Sequence, residues 1–168
     1  MSVDMENVGL TQSLQVLAIS AGPEDRFRLT DPYVEEVWSE FLGPTATLLA
    51  RRLGRSIEVR PGGQQVEVGD LAASVGVAPG VAVKALARLN RFEVVHSDLG
   101  RGVVGVSGYA PPVGDERLFR LSEMGRISHD RFMADLDARH IIPGRAAEMF
   151  AAAPTVGIDR GVVPLAIR

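Results

Sequence analysis

The stretch from Asp70 to Phe92 leaves the backbone few options. Leu71, Ala72 and Val75 share one helical face, Gly76-Val77-Ala78-Pro79 breaks the pattern, and Ala82, Ala85, Leu86 and Leu89 resume it. This spacing predicts two short helices joined by a tight glycine turn. Glu93 to His96 then reads as a strand, Ser97 to Gly102 as a turn rich in Asp and Gly, and Val103 to Val106 as the returning partner.

Upstream, Asp31-Pro32 marks a helix start: Asp can accept from orphan amides, Pro is pre-organised for the first helical position, and Glu35 and Glu36 suit the positive dipole end. Tyr33, Val34, Val37, Trp38, Phe41 and Leu42 follow on one apolar stripe, which reads first as core and second as an interface. Gly43-Pro44 breaks that helix and starts another, in which Leu48, Leu49 and Leu53 are the apolar positions, Arg51, Arg52 and Arg55 face water, and Gly54 lies near the end. Ile57 and Val59 alternate with polar residues up to Pro61-Gly62-Gly63, and Val66 and Val68 alternate after it, which predicts a hairpin or a loop plus one strand. Residues 1–30 read as an N-terminal tail with a marginal hairpin, built from the alternation of Leu14, Val16 and Ala18, a turn at Ala21 to Asp25, and alternation again from Arg26 to Thr30.

Residues 107–168 change character. Pro111-Pro112 favours extended geometry and denies a regular element, so this segment is a linker or a brace laid on the domain. Leu118, Leu121, Ile127, Phe132, Met133 and Leu136 predict one or two amphipathic helices, Arg145 to Ala153 a short Ala-rich one, and residues 154–168 an irregular end. The expected organisation is a tail (1–30), a helical and hairpin domain (31–106) and a Pro-containing helical extension (107–168).

Composition narrows the function classes. The chain has 168 residues, 46% of them hydrophobic and 23% charged, with a mean hydropathy of +0.11, which fits one globular domain or one with appendages. No apolar run reaches the ~18–20 residues of a membrane helix, and Leu14 to Ala21 follows acidic residues instead of the basic ones of a secretion signal, so a cytoplasmic location is expected. Zero cysteines exclude disulfides, thiolate nucleophiles and thiolate metal sites. The net charge of −3 conceals a gradient: residues 1–43 hold two arginines against eight acids, residues 44–106 eight basic against five acidic, and residues 107–168 eight of each. Only the middle third is basic.

Taken together, helix, helix, tight turn, helix and hairpin across Pro44 to Val106 resemble a winged helix-turn-helix domain. The residues carrying the likeness are Asp70-Leu71-Ala72-Ala73-Ser74-Val75-Gly76-Val77 followed by Val81 to Phe92. Ala72 would let the two helices approach, Gly76 would supply the positive φ of the turn, and Val77 and Leu86 would fill the angle between the helices. Phe41 to Leu53 is also similar to a group of uncharacterised bacterial proteins predicted to contain this module, a likeness that implies no activity. The expected fold is α+β, mainly α: a winged helix-turn-helix domain with an N-terminal helix and a C-terminal helical extension.

The resemblance implies a later helix lying in the DNA major groove and a hairpin touching the backbone, in a transcription regulator. Lys84, Arg88 and Arg91 fall at i, i+4 and i+7 on the face opposite the apolar stripe, and Arg101 sits at the hairpin tip between two glycines. These four are the expected contacts to double-stranded DNA, mainly to phosphates. The helix opens Ala78-Pro79-Gly80-Val81-Ala82-Val83, with no side-chain donor to read a base before Lys84. That opening favours an alternative, a protein-interaction adaptor, and the stripe of Tyr33, Val37, Trp38 and Phe41 offers a surface for a homodimer.

No cofactor, metal or catalytic residue is expected. Gly100-Arg101-Gly102-Val103-Val104-Gly105 matches the dinucleotide-binding glycine pattern but no helix follows it. His96, His129 and His140 lack helical metal-ligand spacing, and Asp135 and Asp137 near His140 point to different sides of a helix. Glu35, Glu36 and Glu40 form an acidic strip explained by solvent and the helix dipole. Ser128-His129-Asp130 sets three triad residue types side by side, where they cannot converge as a relay.

Overall fold

The computed structural model describes residues 12–19 and 27–151, with side chains to residue 138. The fold is α+β and mainly helical. Strands β1 (Ser13–Ala18) and β2 (Phe27–Arg28) lead to a π-helical turn (Val34–Trp38) that runs into α1 (Ser39–Leu42). Then come α2 (Pro44–Val59), β3 (Gln64–Glu67), α3 (Val68–Ala73), α4 (Pro79–Arg91), β4 (Val95–Asp98), β5 (Val103–Val106), β6 (Tyr109–Ala110), α5 (Asp115–Leu118) and α6 (Glu123–Ala151). The chain divides into two compact units, Met1–Ala134 and Asp135–Arg168, and every residue of the candidate site lies in the first. The boundary expected at residue 107 falls inside that first unit, because Ala110, Val113 and Leu121 are buried in its core.

Both strands expected near the N-terminus form, but they do not pair with each other. β1 occupies an inner position of a four-stranded sheet ordered β3-β1-β5-β4, antiparallel to β3 (Ser13 opposite Glu67) and parallel to β5 (Gln15 opposite Val103, Ala18 opposite Val106). β2 pairs with β6. The alternation of Leu14 and Val16, both fully buried, therefore reports a strand between two neighbours instead of a local hairpin. Residues 20–26, which held the expected turn, lie outside the described residues, as do 1–11 and 152–168.

Three other expectations change for identifiable reasons. α2 does not stop at Gly54 but continues to Val59, because Gly54 is a point of close approach: a Cβ there would lie 2.7 Å from the Cβ of Leu29. Ile57 and Val59 are therefore helical, and the loop-plus-one-strand alternative holds for the segment up to Val68. Leu48, expected on the apolar face, is 54% exposed, while Leu49 and Leu53 are buried. Asp31 turns back to accept the Arg28 N–H through Oδ2 at 3.0 Å, so it fastens the preceding turn instead of capping the helix.

The aromatic stripe is spent within the chain. Tyr33, Val37 and Trp38 have no exposed surface and Phe41 is 4% exposed, which removes them as a dimer surface. Trp38 meets Phe41 and Phe92 edge-on, each at 6.0 Å between ring centroids, and Phe27 stacks on Tyr33. Two hydrogen bonds fasten the diproline segment over this cluster: Trp38 Nε1 donates to the Pro111 carbonyl and the Val113 N–H donates to the Tyr33 hydroxyl, both at 2.9 Å. The segment is thus the brace, not a linker. Of the one or two helices expected up to Leu136, α5 holds Leu118, and the rest runs without a break into the Ala-rich helix expected from Arg145, as the single helix α6.

Candidate nucleic-acid interface

α4 starts where Ala78 is extended and Pro79 takes the first helical turn, and it buries Ala82, Val83, Ala85, Leu86 and Leu89. α4 packs on both α2 and α3, and Gly76 turns the chain between α3 and α4 with a φ of +71°. The helix ends without glycine: Glu93 takes the left-handed conformation, φ +59°, and the Val94 N–H closes on the Leu89 carbonyl at 3.0 Å. With one side of α4 consumed by packing, Gly80, Val81, Lys84, Ala87, Arg88, Asn90 and Arg91 remain exposed.

The structure places the four sequence-derived cations differently. Lys84 and Arg91 are exposed and make no hydrogen bond or ion pair among the described residues. Arg88 is engaged: its Nε and Nη2 both donate to the carbonyl of Phe41, at 3.0 and 2.6 Å, so its fork closes the end of α1. Arg101 stands at the hairpin tip with its side chain 85% exposed and a 3.5 Å ion pair to Asp98. An exposed pair of that kind holds the side chain weakly. Arg101 does not join the α4 cluster.

A cation that the spacing did not point to does join it. Arg120, exposed just beyond α5, lines a groove of about 480 Å³ together with Lys84, Arg88, Arg91, Phe92 and Glu40. Nothing local to residue 120 announces this, since the brace through Pro111 and Val113 carries it there. Glu40 is the groove's one acid, and its two oxygens are occupied by the Ser122 N–H and hydroxyl at 2.7 and 2.6 Å. Four cations therefore face an opening in which the sole carboxylate already has partners. Such a groove attracts polyanions by summed field and supplies separate donors to their oxygens.

The hairpin beside α4 is tied down at its turn. Gly102 has φ +66°, its carbonyl accepts the Gln15 N–H at 2.7 Å, and Gln12 Nε2 donates to the Leu99 carbonyl at 2.6 Å. The glycine pattern at residues 100–105 thus serves a strand turn held against β1, and no helix follows it.

Other titratable groups find partners within the fold. Ser128 donates to Glu36 at 2.8 Å, whereas His129 is buried and its Nδ1 lies 2.9 Å from the Tyr33 hydroxyl, so the adjacent triad types diverge. Because the Val113 N–H donates to the Tyr33 oxygen, the phenol proton is free to go to Nδ1 of His129. Burial pushes the Tyr33 pKa up to about 12, opposed in part by the Val113 hydrogen bond. Among the described residues no group of three His, Cys, Asp or Glu side chains could hold a metal ion, and no helix is long and apolar enough to cross a membrane.

No family model matches the chain, and no curated protein matches it. Among solved structures it is similar to the crystal structure of primosome protein DnaB, residues 1–300, from Geobacillus stearothermophilus, at 14% identity and a TM-score of 0.47. The match covers 95% of this chain and 58% of that one, so this chain spans less than two thirds of its length. A likeness of that size carries no argument about fold or function.

Proposed function

We propose that the chain is a winged helix-turn-helix protein that binds double-stranded DNA mainly through phosphate contacts, in the cytoplasm, as a transcription regulator. The regulatory role comes only from the family resemblance of residues 44–106. What supports DNA contact is the convergence of Lys84, Arg88, Arg91 and Arg120 around a groove whose sole acid is engaged by Ser122. Phosphate oxygens match the unpaired ammonium of Lys84 and guanidiniums of Arg91 and Arg120, while Arg88, held on the Phe41 carbonyl, adds charge to the groove; neutralising phosphates releases counterions. Base reading is not part of this proposal: the exposed start of α4, Ala78 to Val81, carries no side-chain donor.

The test is a fluorescence-anisotropy titration of labelled duplexes of unrelated sequence at two salt concentrations. Wild type binds all of them with similar affinity and more weakly at high salt, and Lys84→Ala with Arg91→Ala weakens every duplex alike. An absence of binding at low salt, or loss confined to one sequence, refutes the proposal.

A second reading, a protein-interaction adaptor, draws on Phe119, Met124 and Ile127, which are 75%, 72% and 60% exposed. It predicts self-association or partner binding that Phe119→Ser abolishes while duplex affinity is unchanged. A protein that sediments as a monomer and binds duplex as described above counts against it.

A further inference from the structure

A separate cationic concavity is built by the end of α2, β3 and α3. It encloses about 420 Å³, within the range of small-ligand pockets. Val66, half-buried, and Val59, 73% exposed, supply its open apolar surface, over the buried Leu53 and Leu71. Three guanidinium groups, from Arg52, Arg55 and Arg60, line it against one carboxylate, that of Asp70, and no ion pair joins Asp70 to any of them among the described residues. Arg52 is held by its Nη2 donating to the Ser74 carbonyl at 2.9 Å, and Arg60 Nη1 makes only a long, exposed contact of 3.4 Å to Gln64 Oε1. Arg55 is exposed and makes no hydrogen bond or ion pair among the described residues.

Excess positive charge beside apolar surface selects a particular class of occupant. Water or a bare inorganic anion would satisfy the guanidiniums and leave the apolar lining wet. A neutral hydrocarbon would cover that lining and leave the charges uncompensated. We propose that this pocket binds a small organic anion, a carboxylate carried on an aliphatic or aromatic body. The headgroup meets Arg55 and Arg52, and the body covers Val59 and Val66. The proposal is independent of the DNA reading of α4, with which it shares no residue.

The experiment is a two-dimensional amide NMR titration of the full chain with octanoate, alongside acetate and octanamide as controls. Saturable shifts centred on residues 52–74 are expected, with octanoate at least about tenfold tighter than either control. Arg55→Ala and Val59→Asp both alter exposed side chains, so the fold is retained, and each weakens octanoate at least about fivefold. Acetate binding as tightly as octanoate would reduce the pocket to a charged surface, and octanamide doing so would reduce it to an apolar cleft. Either result overturns the proposal, as does the absence of saturable shifts at millimolar octanoate.

Discussion

Arg88 separates structural from ligand-facing charge on α4, because its fork is committed where those of its neighbours are not. Arg88→Ala deletes two N–H···O bonds, 3.0 and 2.6 Å long, to the Phe41 carbonyl. Hydrogen bonds from a charged donor contribute ~1.5–3 kcal/mol, but the groove is open and water can reach the freed carbonyl, so the expected loss of stability is about 1–2 kcal/mol. Lys84→Ala, on the same exposed face with no partner, should leave stability within ~0.5 kcal/mol of wild type. In duplex titrations the order reverses. Losing Lys84 should flatten the salt dependence of log K by about 0.9, one phosphate contact, whereas losing Arg88 should change it by clearly less. Arg88→Lys keeps the charge without the fork and should restore only part of the stability. Urea unfolding paired with anisotropy titrations reads both quantities. If Arg88→Ala unfolded at the wild-type midpoint and cost a full phosphate contact, the engagement with Phe41 would be wrong.

Gly54→Ala should destabilise by up to about 2 kcal/mol, since overpacking against Leu29 exceeds the ~1 kcal/mol gained in helix propensity; Gly80→Ala, with open space around its Cβ, should be neutral or stabilising in the same urea assay. Glu93→Gly should raise stability by several tenths to ~1 kcal/mol, because it relieves a left-handed residue that carries a Cβ; a lower midpoint would contradict that account of the α4 end. Tyr33, with its pKa raised from 10.0 to about 12, is favoured in its protonated form by folding. Its contribution is therefore complete below pH 10 and lost as pH climbs towards 12, amounting to roughly 2–3 kcal/mol. Tyr33→Phe should remove that stretch of the stability–pH curve, and an unchanged curve would contradict the buried-phenol account.

How much of this was legible depended on whether the deciding partner was near in sequence. The α3–turn–α4 corner was, because its stripes and Gly76 encode it within 23 residues. The β4–β5 hairpin was legible for the same reason, although β4 runs Val95–Asp98, two residues later than the strand expected over Glu93 to His96. The neighbours of β1 were not: alternation at Leu14 and Val16 gives a strand but cannot say that residues 64–67 and 103–106 flank it. Gly54 was misread because glycine serves both as a helix stop and as a point of close approach, and Leu29 decides between them. At the site, helical spacing put Lys84, Arg88 and Arg91 on one stripe. It could not show that the Phe41 carbonyl, 47 positions earlier, takes up one of them. Arg120 was invisible because hydrogen bonds from Trp38 and to Tyr33 fix the path of the brace that carries it.

Salt dependence of duplex binding by the wild type and by the Lys84→Ala, Arg91→Ala, Arg120→Ala variant tests the cationic groove most directly. Counting those three residues and Arg101 as phosphate contacts, log K should fall against log salt with a slope of about −3.6 for wild type and about −0.9 for the variant. Equal slopes for the two proteins, or no wild-type binding at low salt, would contradict the account.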